Sequence, residues 1–377
     1  MYIQSLYLNN FRNYEELKLD FSSGINCFCG PNGAGKTNIL DAIHYLALTR
    51  GFRNTQDRQA VKKGEQYFLD QGEVKQGEHS WQVQCNFAQG KGKRMIVNRK
   101  TLKKLSEHIG RIPLVAVLPH DTELINGPSA GRRRFLDVLI SQYDSAYLRH
   151  LIQYDKILAQ RNALLKQFAE DRRWGEEQME LWDAQLIPHG IGIHAGRSQF
   201  IEDFQPVFAE YFKEIVAEDE VPRLTYYSQL EENTEAGWID LLKNNRQKDQ
   251  VNQYTGVGAH RDDLRFFIDE QSVRNFGSQG QQKTFIISLK LAQYQLLEEQ
   301  KEISPVLLLD DIFDKLDDQR LARIAGILDQ KLRGQTFITD TSYERLAKVF
   351  DAKSSGELRF FSVNSGEVEL LDQPTTS

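Results

Sequence analysis

The chain opens on alternating apolar and polar positions. Ile3, Leu6 and Leu8, then Leu17, Leu19 and Phe21, mark two strands, and Ile25 to Cys29 a third. A helix follows with Ile39, Leu40, Ile43 and Leu46 on one side. Short strands continue over residues 67–118, including Trp81 to Phe87 and Pro113 to Leu118. From about Gly131 to Val216 the period lengthens. Leu148, Leu151, Ile152, Leu158, Leu164, Leu165 and Phe168 recur at helical spacing until Asp171-Arg172-Arg173-Trp174-Gly175 interrupts, and a second stretch runs through Leu181, Leu186 and Phe200. This predicts two antiparallel helices of about 25 residues, each roughly 35 to 40 Å long at 1.5 Å per residue. Strands return at Arg223 to Tyr227 and Leu264 to Ile268, followed by a helix with Phe285, Ile286, Leu289, Ala292 and Leu296 on one face.

Two joints in this pattern carry chemistry. Between the third strand and its helix stands Gly30-Pro31-Asn32-Gly33-Ala34-Gly35-Lys36-Thr37. A strand before and a helix after make this a phosphate-binding P-loop. Triphosphate is densely negative, and Gly30, Gly33 and Gly35 let backbone N–H groups approach it with a helix N-terminus behind. Lys36 is suited to the β and γ phosphates and the Thr37 hydroxyl to Mg2+. Near the other end, Val306-Leu307-Leu308-Leu309-Asp310-Asp311 describes a buried parallel strand ending in acids. Asp310 is expected on the Mg2+ side of the site, and Asp311 is placed to orient or activate water against the γ-phosphorus. Lys36, Asp310 and Asp311 are thus the candidate catalytic residues, and Thr37 and Asp310 the candidate metal ligands.

Lys36 and Asp310 stand 274 positions apart, so the ATPase lobe is discontinuous. The expected architecture is an α/β P-loop ATPase head, with residues 1–125 as its first part and 126–252 as an inserted, mostly helical arm. Residues 253–371 form its second part, and 372–377 a polar tail.

Length and composition fit this reading without sharpening it. A chain of 377 residues, 40% hydrophobic, has room for two or three domains. It has no run of 18 apolar residues, and Met1 to Asn10 lacks a basic leader, so a cytoplasmic location is expected. Its three cysteines do not make a disulfide framework. Cys27 and Cys29 share one strand face, but no further Cys or His pair completes a tetrahedral metal set, so they read as small core residues.

The net charge of −6 gives no global support for nucleic-acid binding. Locally, Lys91, Lys93, Arg94, Arg99, Lys100, Lys103 and Lys104 fall within 14 positions without an acid, around a hairpin with Met95-Ile96-Val97 as strand and Asn98-Arg99-Lys100 as turn. A DNA phosphate backbone is the natural partner, and a solvated edge-protecting cluster the alternative. Arg132, Arg133 and Arg134 cannot all share one helix face, which sends at least one inward.

A third motif, Phe276-Gly277-Ser278-Gln279-Gly280-Gln281-Gln282-Lys283, opens the helix before the acidic strand. One triphosphate needs one cradle, so a second anion-binding helix start suggests a γ-phosphate held by another subunit. On its own the segment also reads as an ordinary capped helix. Its place some 30 residues before Val306 matches ABC-type ATPases.

Taken with Leu8-Asn9-Asn10-Phe11-Arg12-Asn13-Tyr14, Lys36-Thr37-Asn38, Gly258-Ala259-His260-Arg261-Asp262-Asp263-Leu264 and Leu309-Asp310-Asp311-Ile312-Phe313-Asp314-Lys315-Leu316-Asp317, these motifs resemble the RecF family of bacterial recombination mediators. The match runs from residue 3 to about 341 in order and spacing. The resemblance implies an SMC-like, ABC-type head that dimerises around two ATP molecules and hydrolyses them slowly with stimulation by DNA. It further implies binding to gapped duplex and single-strand to duplex junctions, action with RecO and RecR in loading RecA, and a part in replication and SOS induction. By the same resemblance Ser278, Gln279, Gly280 and Gln281 are the signature acting in trans, and Asp314 and Asp317 belong to a loop crossing the dimer interface. Ala259 stands where proline is common in the family and Lys283 where arginine is common; neither removes charge or phosphate-facing backbone. Thr339 stands where many ABC ATPases have a γ-phosphate-sensing histidine, which implies slow turnover. Pro119-His120-Asp121 occupies the place of the usual glutamine.

Three rival readings fit the sequence less well. His260-Arg261-Asp262 lacks the leucine and asparagine of a protein-kinase loop. A transporter ATPase shares the nucleotide motifs but not the long helical insertion or the Asn-Phe-Arg-Asn opening. A small-molecule P-loop kinase leaves the cradle at Ser278 unused.

Overall fold

The computed structural model describes residues 1–52, 56–172, 174–216, 220–312, 318–350 and 357–371. The expected interface loop with Asp314 and Asp317, and the tail 372–377, lie outside them. The chain packs as two units. One comprises Met1–Asp121, Glu214–Ala217 and Ile286–Ser377; the other comprises Thr122–Lys213 and Glu218–Phe285.

The first unit holds two six-stranded sheets. One is antiparallel, in the order Tyr14–Asp20, Tyr2–Phe11, Tyr67–Gln76, His79–Ala88, Gly92–Val97, Lys100–Thr101. The other runs Glu367–Leu371, Leu358–Asn364, Ile25–Cys29, Thr336–Asp340, Val306–Asp310, Leu114–Val117, parallel except for its first pair. Parallel strands covered on both faces read as near-continuous apolar runs, and Val306–Asp310 and Thr336–Asp340 are buried along their whole length, polar Asp310 and Thr339 included. Between the sheets lies helix Lys36–Leu48, buried at every position except Thr37 and Asn38. Phe21, Phe28, Phe337 and Phe361 fill the core beside it, with the Phe28 and Phe361 rings stacked at 5.0 Å. Gln335 joins the two sheets. Its amide donates to Ile3 O and Ser22 O and accepts from Ile3 N, each at 2.8 Å. Cys27 and Cys29 are buried, with burial first and Asp340 second pushing the Cys29 thiol up to about 12.

The second unit contains helices Ser129–Tyr143, Ser145–Glu170, most of Glu176–Val216, and Glu235–Asn252, with a small sheet in the order Gln271–Ser272, Asp263–Ile268, Pro222–Tyr227. The helical pair differs from expectation in length, since the second member has 41 residues and carries Pro188 and Pro206 inside it. The boundary expected at residue 252 also differs from the packing. Strands Pro222–Tyr227 and Asp263–Ile268 pair directly, so the chain on both sides of Glu235–Asn252 is tied into one sheet, and residues 253–285 join the second unit.

Buried ion pairs hold this unit. Arg161 is fully buried and donates to Asp183, Asp249 and Thr255, each at 2.8 Å. Arg197 bonds Asp137 and the carbonyl of Ala259. Of the arginine triplet, Arg132 turns inward onto Asp263 at 2.7 and 3.1 Å, and Arg133 donates to Ser129 and the Asp262 carbonyl. The His260-Arg261-Asp262 segment is part of this scaffold. His260 meets the Tyr154 hydroxyl and Thr255 O, each at 2.9 Å, and Asp262 accepts from Tyr226. No helix among the described residues is long and apolar enough to cross a membrane.

Candidate nucleotide site

The P-loop stands where strand Ile25–Cys29 gives way to helix Lys36–Leu48. Gly30 is required by close approach, because a Cβ there would lie 2.0 Å from the Val363 carbonyl oxygen. Gly35 is required twice over: its φ is 118°, and a Cβ would stand 2.6 Å from both Asn13 Nδ2 and the Tyr14 hydroxyl. Those two side chains brace the loop. Asn13 Nδ2 donates to Ala34 O at 3.3 Å, Tyr14 OH donates to Gly35 O at 3.1 Å, and Asn38 Nδ2 donates to Asn13 Oδ1 at 2.7 Å. The segment Asn13-Tyr14 therefore acts as a strut under the loop. Next to it, Arg12 donates to Asp41 at 2.7 and 3.0 Å and to Gln59 O, which anchors the first turns of the helix.

Lys36 is buried, and its ammonium donates to Gly30 O at 2.8 Å and Pro31 O at 3.1 Å, bending back over the loop it follows. Thr37 Oγ1 donates to the two carboxylate oxygens of Asp310, at 2.9 and 3.0 Å. The structure thus brings the two sequence motifs into contact across 273 positions. Asp310 also accepts from Thr339 Oγ1 at 2.7 Å, and Thr339 Oγ1 in turn accepts from the Asp311 N–H at 3.0 Å. Burial raises the Asp310 carboxyl above its usual range, opposed by the hydroxyls of Thr339 and Thr37 and then by the charges of Lys36 and His120. Asp311 adopts a φ of 46°, the left-handed region, so the chain turns sharply at the end of the strand. Hydroxyl and carboxylate oxygens in this arrangement are the hard donor set that suits Mg2+.

Thr37, Asp310 and, through Thr339, Asp311 come together here with Lys36 bent over the loop, whereas the bracing by Asn13 and Tyr14 and the bridging by Thr339 join residues 21 to 29 positions apart and were not read from the sequence. His120, assigned no role above, contributes to the field at Asp310. Its neighbour Asp121 caps Leu118 N and pairs with Lys290 at 3.3 Å.

In the second unit, Ser278 and Gln281 form a reciprocal cap. Gln281 N donates to Ser278 Oγ at 3.2 Å, and Ser278 N donates to Gln281 Oε1 at 2.9 Å. Gln281 Nε2 also reaches Glu220 at 2.7 Å. Ser278 and Gln279 are exposed, and Gly280 and Gln281 half-buried.

The basic hairpin forms with its turn at Asn98 and Arg99, both at positive φ (47° and 66°), and Lys100 opens the return strand. Lys91, Arg94, Arg99, Lys100, Lys103 and Lys104 are exposed. Lys93 is not part of that surface. It shares strand parity with buried Met95, pairs with Asp57 at 2.8 Å and lies 5.7 Å from the Tyr45 ring.

Comparison with known proteins places this geometry in a family. The model of the RecF/RecN/SMC N terminal domain matches residues 2–356. The DNA replication and repair protein RecF of Cytophaga hutchinsonii is 41% identical over 369 residues, 98% of this chain and 97% of that protein. Its counterpart in Flavobacterium johnsoniae is 43% identical over 345 residues, 92% and 95% of the two chains. A solved structure of the recombination mediator protein RecF-ATP in the RecFOR pathway superposes with a TM-score of 0.89 at 31% identity, covering 98% of each chain.

Proposed function

The chain belongs to the RecF/RecN/SMC N terminal domain family, and within it to RecF, and from that premise we propose that it is a DNA-repair ATPase in which ATP works as a conformational switch. The observation that carries this reading is the hydrogen-bonded contact of Thr37 with Asp310, beside a buried Lys36 folded over the P-loop. Phosphate oxygens are stronger acceptors for Lys36 than the carbonyls of Gly30 and Pro31, because the bond becomes charge-assisted. Gly33 and Gly35 offer backbone N–H groups to the same anion.

Thr37 and Asp310 would hold Mg2+, which when bound neutralises charge between the β and γ phosphates. Asp310 is buried and so favours a cation partner, and Thr339 fixes the orientation of its carboxylate. Asp311 follows on a sharp turn and is assigned to orienting the attacking water. Ser278 to Gln281 are assigned to capping the γ-phosphate of a second copy, with Asp314 and Asp317 at the interface between copies. γ-Phosphate contacts made only in the closed dimer bias the equilibrium toward it, and their loss on hydrolysis releases it. Turnover is slow and stimulated by DNA. The DNA is gapped duplex or a single-strand to duplex junction, touched by the exposed Lys91, Arg94, Arg99, Lys100, Lys103 and Lys104. RecR is the direct partner, with RecO and RecA in the same pathway.

The test is molar mass in solution with ADP, with ATP, and with ATP plus a gapped duplex, hydrolysis being followed in the same samples. A mass that doubles only with ATP, and turnover that rises with DNA, are expected. A constant monomer indifferent to DNA would overturn the switch.

A further inference from the structure

The second unit carries a surface that the nucleotide motifs do not use. Strands Pro222–Tyr227 and Asp263–Ile268 alternate strictly. Leu224, Leu264, Phe266 and Ile268 are buried on one side, and Phe266 packs on Phe285 at 5.3 Å. On the other side Arg223, Thr225, Tyr227 and Arg265 are exposed and Phe267 half-buried. Register sets Arg265 opposite Thr225 and Arg223 opposite Phe267.

Cations and rings interleave on this face. The Arg265 guanidinium lies 4.1 Å from the Tyr227 ring centroid, and that of Arg223 lies 4.9 Å from Phe267. A guanidinium over a ring keeps its N–H edges for a further partner. Arg223, Arg265 and the nearby exposed Arg274 pair with no carboxylate among the described residues. The one acid on the face, Asp263, is taken by Arg132. Asp269, at the turn beyond Ile268, accepts from Val221 N. Alongside runs a cleft of about 430 Å3, lined in part by Arg265, Phe267, Ser272, Arg274 and Asn275.

Three unpaired arginines call for an anion, and the rings narrow its class. An acidic peptide would use the guanidinium edges and leave the planar surfaces idle. A duplex offers phosphates but keeps its bases stacked inside. A single strand presents both phosphates for the edges and base faces for the planes. We propose that the Arg223, Tyr227, Arg265, Phe267 and Arg274 face binds single-stranded nucleic acid, as a site separate from the basic hairpin. The inference rests on the DNA-repair reading and specifies which strand state this unit contacts.

The experiment is fluorescence anisotropy of a labelled oligothymidylate on the full chain, without nucleotide and with ATP, beside a duplex of equal length and polyglutamate. The Arg223→Ala/Arg265→Ala double variant should bind the oligothymidylate about tenfold more weakly. Its log-log salt slope should be shallower by about 1.4, from two lost single-strand phosphate contacts at 0.7 each. Duplex affinity should hold within about threefold, because stacked bases give a duplex no use for this face and its phosphates are assigned to the basic hairpin. Arg265→Lys, which keeps charge and solubility but not the planar fork, should fall between wild type and double variant. Unchanged oligothymidylate affinity would overturn the proposal, as would an equal loss for duplex or polyglutamate. Wild-type protein that binds duplex but no oligothymidylate would sink this inference alone, whereas one that binds neither would sink the DNA reading with it.

Discussion

Thr339 Oγ1 donates to Asp310 Oδ1 at 2.7 Å across two adjacent parallel strands whose register sets these residues side by side. The same oxygen accepts the N–H of Asp311 at 3.0 Å, so one hydroxyl fixes both acids. Where many ABC ATPases have a histidine, this chain thus has a group that orients the Asp310 carboxylate. Thr339→Val keeps the shape and removes both bonds. A buried carboxylate losing a donor should cost about 1–2 kcal/mol of stability. ATP turnover should drop about tenfold, with Thr339→Ser restoring it because the hydroxyl remains. Equal turnover in Val and Ser variants would show that Thr339 only fills space.

Lys36→Arg tests the lysine itself. The ammonium fits between Gly30 O and Pro31 O in a buried place, and a planar fork is wider and cannot present the same point charge. Nucleotide binding, measured by calorimetry, should weaken only a few-fold, while hydrolysis falls by about two orders of magnitude. Equal loss of both would remove the distinction between holding the phosphates and stabilising charge in the transition state.

What the sequence made legible follows from range. The P-loop, the acidic strand and the hairpin turn are written in neighbouring residues, through glycine where φ is positive, alternation, and an apolar run ending in acid. Parity alone would have removed Lys93 from the basic surface, since it shares a strand face with Met95 and Val97. The strut from Asn13 and Tyr14 to the loop spans 21 positions and the Thr339 contact 29, and no local period carries such pairings. Helix Glu235–Asn252 left little apolar trace because its buried side is Trp238 and Leu242 completed by Arg246 and Asp249. The break at Asp144 is a capping event, its carboxylate accepting from Ala146 N and Tyr147 N within a stretch that reads as continuous helix. Pro188, which would ordinarily end a helix, lies inside one that continues to Val216.

Ser278→Arg separates the two anion cradles. Ser278 and Gln281 cap each other, and Ser278 is exposed, so a long cation there should leave the core of its unit intact. ATP binding to the single chain should match wild type, and ATP-driven doubling of the molar mass in light scattering should disappear. Dimers that persist would remove the signature from the interface.

His108 offers a check on the packing around the nucleotide helix that needs no ligand. Its ring is buried; Nε2 meets the Leu46 carbonyl at 2.6 Å and Nδ1 has no partner, which identifies the neutral tautomer with hydrogen on Nε2. Burial first, opposed by the Leu46 bond, pushes it down from 6.5 to about 4. The unfolded chain therefore takes up a proton near 6.5 that the folded chain refuses. The contribution to stability is intact above that value and drains away as pH falls toward about 4. Between pH 7 and 5 the loss from this one group should be about 2 kcal/mol, at 1.36 kcal/mol per pKa unit. His108→Gln, which keeps an N–H for Leu46, should flatten that part of the slope. In labelled-histidine NMR, the signal missing from His108→Gln should hold its neutral shift from pH 7.5 down to 5. A signal that titrates near 6.5 would mean that water reaches the ring, and that the helix behind the P-loop is more loosely packed against its sheet than the geometry requires.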